Sequence, residues 1–434
     1  MTLRAYLERL EKESRLRHVR VPASRTYEIA GILKKLEPGP VVFDRVLESQ
    51  FGVVGNLFCG KEAFADYFRI SPSEIIPMLS RAIENHLPPQ IVTSAPCQEV
   101  VETIPDLDKL PILRHCAQDG GNYISSGVFI TRHPLWGQNA DFHRAMQFSK
   151  RDMAVRVVES RHFDTFLRDR TALDVAICVG LPPHVLAAAA TSVDIGINEL
   201  EIANALQPIQ VVKAATLDLF VPSESEFVLE GTIYLDRLHA EGPFVDLTET
   251  YDVVRQQPVF ELKALTHRKD ALWQVLLPGA LEHKLLMGMP REPTIFKKVN
   301  SVVHCLDVNV NPGGCSWLHA VVKIDKKHED DGRKAIAAAF EGHRSCKHVY
   351  VVDADIDIYN PAEVEWAMAT RFQGDRDLII MPRERGSSLD PSSEAGSHLT
   401  SKVGFDLTRP LSTAGKSFDK AAFPDVDLKS FLEE

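Results

Sequence analysis

The sequence predicts an α+β, mixed α/β protein with a β-barrel-like centre between two α/β ends. Helical and strand-like hydrophobic periods alternate over the first hundred or so residues and again in the last third. From residue 122 onward strands outnumber helices and the βαβ alternation breaks, which disfavours a doubly wound sheet. Prolines at 88, 89, 96, 105 and 111 punctuate the first junction. The expected division is an N-terminal α/β domain over residues 1–112, a β-rich domain over 113–298 and a C-terminal α/β domain with an oligomerisation tail over 299–434.

Leu3, Leu7 and Leu10 recur at helical spacing among charged residues and predict an amphipathic surface helix. Strands are expected at 41–43 and 53–57, and a helix over 72–85 with Ser71 as cap and Pro72 in its first turn. Residues 123–131 read as a strand. Segments 142–148 and 153–158, joined by Ser149-Lys150-Arg151-Asp152, read as a β-hairpin. His162 opens a helix through Leu167, and an apolar strand covers 173–179. Short helices are expected at 187–190 and 199–206, strands at 210–214 and 227–234, and a turn at Glu241-Gly242-Pro243-Phe244. A helix and its end span 281–291. Further on, strands are expected at 301–309, 320–324 and 349–352, and helices at 331–340 and 361–371, the latter capped by Asn360. The tail from Gly386 is turn-rich and ends in a short helix, so it either wraps the core or meets another subunit.

A net charge of -11 without a Lys/Arg block leaves nucleic acid and anionic membranes without an electrostatic footprint. The seven cysteines form no CxxC pair, so reduced thiols in a cytoplasmic protein are expected, and no stretch is long and apolar enough for a signal peptide or a membrane span. GxGxxG after a strand, GxxxxGK[ST], GxSxG and HExxH are all missing. Asp353, Asp355 and Asp357 imitate the start of a calcium loop but lack its glycine, so no metal is assigned there.

The segment Asn139 to His162 can bring an amide oxygen, a guanidinium and an imidazole to one end of a sheet, through Asn139, Arg144 and His162. By itself it is equally well a surface hairpin with incidental polar residues. The same residues belong to a longer series: Asn139-Ala140-Asp141-Phe142-His143-Arg144, Arg161-His162, residues 198–206, Val211-Val212-Lys213, 218–222, 228–231, Glu241-Gly242-Pro243-Phe244-Val245-Asp246, 355–358 and 364–367. In order and spacing this series closely resembles the UbiD family of prenylated-flavin decarboxylases.

The resemblance implies a split β-barrel, flavin-reductase-like cofactor domain and a reversible non-oxidative decarboxylation of an aromatic, heteroaromatic or α,β-unsaturated acid through a covalent adduct with prenylated FMN. It implies Arg144, Glu241 and Asp246 as catalytic arginine and acids, since a guanidinium holds a carboxylate and an adjacent acid can deliver a proton. It implies Asn139, His162 and Glu199 as ligands of manganese or magnesium, a donor set suited to hard cations, with room for a potassium or sodium ion. Glu201 is the alternative to Glu199, because the spacing to Lys213 is two residues short. Asn139, Ala140, Asp141, Phe142, His143, Arg144, Arg161, His162, Glu199 and Lys402 would line the cofactor and its phosphate. His283 and Arg291 match a pair bordering the substrate pocket in members acting on furan or pyrrole acids. A furan- or pyrrole-type acid is therefore the main substrate expectation. The alternative is an anhydromevalonate phosphate or polyprenyl-hydroxybenzoate decarboxylase, in which the pair would meet a phosphate or lie idle; a non-catalytic subunit of a carboxylase complex is a further alternative. The implied partners are a small carboxylic acid, a flavin prenyltransferase that supplies the cofactor, and further copies of the chain in a homodimer or larger homo-oligomer.

Overall fold

A computed structural model describes the chain from Met1 to Phe431 except residues 160, 169, 413, 414, 416, 422, 429 and 430; residues 432–434 also fall outside it. The helix expected at the very end lies partly outside the described residues.

The central sheet runs, in order of hydrogen bonding, through Asn122–Ile124, Ala145–Gln147, Asp152–Val155, Arg255–His267, Phe227–Glu241, Ala172–Val179, Val128–His133 and Gly137–Phe142, with Val100–Glu102 pairing onto Arg255–His267. This order forces curvature. Laid flat, the strands Gly137–Phe142 and Ala145–Gln147 would stand about 29 Å apart, six strand spacings of ~4.8 Å. Yet only His143 and Arg144 connect them, and three Cα steps cover no more than about 11 Å. The sheet therefore curls until its edges nearly meet, which is the split barrel expected, and Arg144 lies at the seam.

Alternate residues of each strand feed two different cores. Val128, Ile130, Ala140, Ala176 and Cys178 pack toward the helices Ile75–Glu84, Pro183–Ala189 and Glu199–Leu206, whereas Phe129, Val175, Ile177, Leu229 and Phe260 pack on the other face. This is the period of two that a sheet covered on both faces demands. The C-terminal sheet orders Cys305–Asn309, His319–Ile324, His348–Asp353, Leu399–Asp406 and Leu378–Arg385. Apolar clusters lie under its helices Asp331–Gly342 and Pro361–Arg371. The N-terminal region adds the helix Leu3–Lys12 and a four-stranded sheet that Leu272–Gln274 completes.

Several expectations need correction. The tail is not loose between 378 and 406: it supplies two paired strands, and Lys402 lies in the second of them, buried. The proline-punctuated stretch carries strands at Gln90–Val92 and Val100–Glu102. The hairpin is shorter than expected, with Met153 paired to Gln147 and Val155 to Ala145, and Asn139 sits inside a strand instead of ahead of one.

Candidate active site

Arg144 leaves the seam and meets three carboxylates. Its Nε donates to Glu241 Oε1 at 2.8 Å and its Nη2 to Glu241 Oε2 at 3.2 Å, a bidentate pair. Nη1 donates to Asp246 Oδ2 at 2.7 Å, and Nη2 also donates to Asp252 Oδ2 at 2.8 Å. The guanidinium carbon stands 4.8 Å from the centre of the Phe244 ring. Burial alone would lower the Arg144 pKa, but Glu241, Asp246 and Asp252 outweigh it and raise it, so the group stays charged.

The three acids come from one folded-back segment. Glu241 ends the long strand Phe227–Glu241 opposite Arg255, and Phe244 and Val245 pair back onto Asp252 and Tyr251. Gly242, at φ 98°, makes the turn after Glu241. Its carbonyl oxygen comes within 2.2 Å of where a Cβ on Gly120 would stand, so only glycine fits at 120. Glu241 is fully buried and also accepts from the Tyr123 hydroxyl at 3.1 Å. Beside these groups, His283 accepts from Gly279 N at 3.0 Å. Burial pulls its pKa down, opposed by Asp246 and reinforced by Arg144.

Asn139, His162 and Glu199 are carried by three elements, a strand and two helices that touch it. Asn139 lies in Gly137–Phe142, and the helices that His162 and Glu199 open both pack on that strand. The Asn139 amide nitrogen is buried without a partner. Glu199 is buried, accepts from Ala140 N at 2.8 Å, and is pushed up to about 8 by burial, opposed by that amide. Glu201 is committed elsewhere, 2.7 Å from His86 Nδ1. A buried carboxylate, an amide, whose oxygen would ligate, and an imidazole suit a hard divalent cation, whose charge would hold Glu199 ionised. Among the described residues no three His, Cys, Asp or Glu side chains form a metal cluster.

The other expected cofactor residues have partners of their own. Asp141 Oδ1 stands 3.0 Å from His143 Nε2, a charge contact that lacks hydrogen-bond alignment, and His143 packs on Phe163 with ring centres 4.2 Å apart. Phe142 packs against the larger core. Arg291 bonds Ser192 and its guanidinium carbon lies 5.2 Å from the Trp317 ring centre. Burial, then Arg161, pull its pKa down to about 9. His343 is held down to about 3 by burial and then by Arg291, with Lys402 and Arg161 adding to the effect. Three cations thus share one neighbourhood. Lys402 Nζ donates to the Arg344 carbonyl at 2.6 Å, which leaves two of its three N–H donors. His283 feels Asp246 and Arg144, whereas Arg291 feels Arg161 and in turn acts on His343. Asp252 escaped the sequence reading; only knowing that 241–255 folds back on itself would have exposed it.

Three family models cover most of the chain. They describe the N-terminal, Rift-related and C-terminal domains of 3-octaprenyl-4-hydroxybenzoate carboxy-lyase and match residues 7–83, 90–281 and 284–407. The chain belongs to the UbiD family. It is a decarboxylase, and its curled central sheet between N- and C-terminal domains matches the UbiD-class fold. Among similar proteins are the anhydromevalonate phosphate decarboxylases of Methanocaldococcus jannaschii, 41% identical with 93% of this chain and 96% of that one covered, and of Methanosarcina mazei, 40% identical with 98% and 100% covered. The UbiD-class enzyme HmfF from Pelotomaculum thermopropionicum, solved in complex with FMN, superposes with a TM-score of 0.96 at 35% identity over 100% of both chains. These relatives favour the alternative substrate expectation over the furan or pyrrole one. No helix among the described residues is long and apolar enough to cross a membrane.

Proposed function

We propose that this UbiD-family chain decarboxylates a small α,β-unsaturated acid bearing a phosphate at its far end, the chemistry named for its anhydromevalonate phosphate relatives. One observation carries the choice. Arg144 is surrounded by carboxylates, whereas Arg291, half-buried against Trp317 with its Nε buried and unpartnered, has no carboxylate partner among the described residues. A half-buried guanidinium without an acid is a site for an anionic group brought by a ligand.

In this reading Arg144 binds and orients the reacting carboxylate, and Asp246 holds Arg144 in place. Glu241 delivers the proton to the carbon that loses carbon dioxide. Asn139, His162 and Glu199 would hold manganese or magnesium, whose charge would favour an anionic phosphate, and Arg161 and Lys402 would add positive charge for the phosphate of a prenylated FMN. When bound, the flavin supplies the electron sink for the charge left by departing carbon dioxide. FMN in HmfF supports a flavin here. Seven free cysteines fit a reducing cytoplasm, and an evolved dimeric form of HmfF fits an enzyme that self-associates.

The test is Arg291→Leu assayed by carbon dioxide release on a phosphorylated alkenoic acid, a furan dicarboxylic acid and cinnamic acid. Loss of the charged partner should cost the phosphorylated acid about 2–5 kcal/mol in transition-state binding, with cinnamic acid little changed. Equal loss on all three, or none, refutes a phosphate-reading Arg291.

A further inference from the structure

The hydrogen bonds of Arg144 leave too few donors for the task assigned to it. A guanidinium carries five N–H groups. Glu241 takes the Nε–Nη2 edge, Asp252 the remaining hydrogen of Nη2, and Asp246 one of the two on Nη1. Bidentate capture of a carboxylate needs two parallel donors on one edge. The Nη1–Nη2 edge is the one left for it, and Asp252 occupies its Nη2 half. A fourth carboxylate against the same guanidinium would also face three like charges.

Asp252 is the acid placed to yield. Glu241 is fully buried at the end of a long ladder. Asp246 and Asp252 each accept from the following amide, Leu247 N at 2.7 Å and Val253 N at 2.9 Å, but Asp246 pairs with Arg144 alone among the described residues. Asp252 instead lies in the two-residue strand Tyr251–Asp252, followed by the exposed Val253 and Val254. It is already shared: Arg255 Nη1 is 2.6 Å from its Oδ1 and Arg156 Nε 3.9 Å from its Oδ2. We propose that Asp252 is a displaceable positioning residue that caps Arg144 until a substrate carboxylate arrives, and that Arg255 and Arg156 then take it over. Three arginines and three carboxylates balance before the exchange, and Arg144 keeps three carboxylate partners after it. The inference rests on Arg144 as the carboxylate-binding group.

The test is equilibrium binding to flavin-loaded protein of two probes, 3-methyl-5-phosphooxypentanoate, which lacks the double bond, and 3-methylbutyl phosphate, which lacks the carboxylate. Asp252→Asn should tighten the acid about tenfold, the scale of one charge-assisted hydrogen bond, and leave the ester unchanged. Arg255→Leu should weaken the acid by a similar factor, because only the more distant Arg156 is then left to draw Asp252 off Arg144. Combining the two should restore the affinity of Asp252→Asn, since without its charge Asp252 no longer competes. Acid and ester moving together, or an acid affinity that Asp252→Asn leaves unchanged or weakens, overturns the gate; should Asp252→Asn not fold, Arg255→Leu decides by the same comparison of the two probes. Arg144→Leu separates the two failures. If it binds the acid like wild type, Arg144 is not the carboxylate group. If it loses the acid while Asp252→Asn changes nothing, the gate alone fails.

Discussion

Replacing Glu241 by glutamine keeps the side-chain volume but removes both the charge and the transferable proton. Glu241 accepts from Arg144 Nε at 2.8 Å, from Arg144 Nη2 at 3.2 Å and from the Tyr123 hydroxyl at 3.1 Å, all inside the protein. A glutamine retains one acceptor oxygen and turns an NH2 toward the other donor, so one charge-assisted bond, about 1.5–3 kcal/mol, is lost. The full penalty for stranding a buried charge, about 3–5 kcal/mol, does not apply, because Asp246 and Asp252 still hold Arg144. Folding should therefore survive with a loss of about 2 kcal/mol by urea titration. Turnover should fall by about 10²–10⁴-fold, the usual contribution of a positioned acid, while flavin absorbance after co-expression with a flavin prenyltransferase stays at the wild-type level. Carbon dioxide release and deuterium incorporation from solvent into product measure the chemical step separately from binding. Wild-type turnover in the folded variant would remove Glu241 from proton delivery.

The metal trio is tested by content: His162→Ala and Glu199→Ala should each lose bound manganese together with flavin by elemental analysis and absorbance, while Glu201→Ala, which cuts only the His86 contact, should keep both. Retention in Glu199→Ala with loss in Glu201→Ala would reverse the assignment. Glu282, fully enclosed, is pushed up to about 8 by burial, against backbone amides led by that of Leu57. Its folded pKa stands above the unfolded one, so its contribution is complete below about 4.5 and fades as pH rises through about 8. Relative to Glu282→Gln, the wild-type protein should lose stability across that window in urea titrations, and parallel curves would contradict it.

What was legible in the sequence follows from how local the controlling physics is. The helices Glu199–Leu206 and Pro361–Arg371 lie where the sequence puts them, and Asn198 and Asn360 each accept from the amide two residues on, at 3.0 Å in both cases. The strand Arg255–His267 was missed because Pro258 argues against a central strand; Pro258 is tolerated where it faces Leu238, next to the register shift between Tyr234 and Leu238. Helix Glu292–Asn300 was missed for a related reason, its Pro293 standing in the first turn, where a proline costs nothing. The strands flanking residues 386–398 hide behind turn-forming residues that form only the link between them. For the site, Arg144 and Glu241 lie 97 residues apart, and no periodicity joins them; their union came from family resemblance. Asp252 matched nothing in that resemblance and stayed invisible.

The seam explains why the arginine and its acids must come from distant parts of the chain. Arg144 sits where the sheet's two edges approach, so its position depends on closure of the whole barrel. Glu241, Asp246 and Asp252 instead ride on one local fold-back, pinned by the pairing of Glu241 with Arg255 and of Phe244 with Asp252. Gly120 N donates to Pro243 O at 2.8 Å and Tyr123 bonds both Glu241 and Gly242 N. Both residues belong to the stretch that leads into the edge strand Asn122–Ile124, which pairs with Ala145–Gln147 directly after Arg144. The same edge thus fixes the acids through residues 120–123 and the arginine through its partner strand. A bond between Arg144 and Glu241 is then a consequence of barrel closure: at the seam a guanidinium from one edge faces carboxylates fixed by another segment.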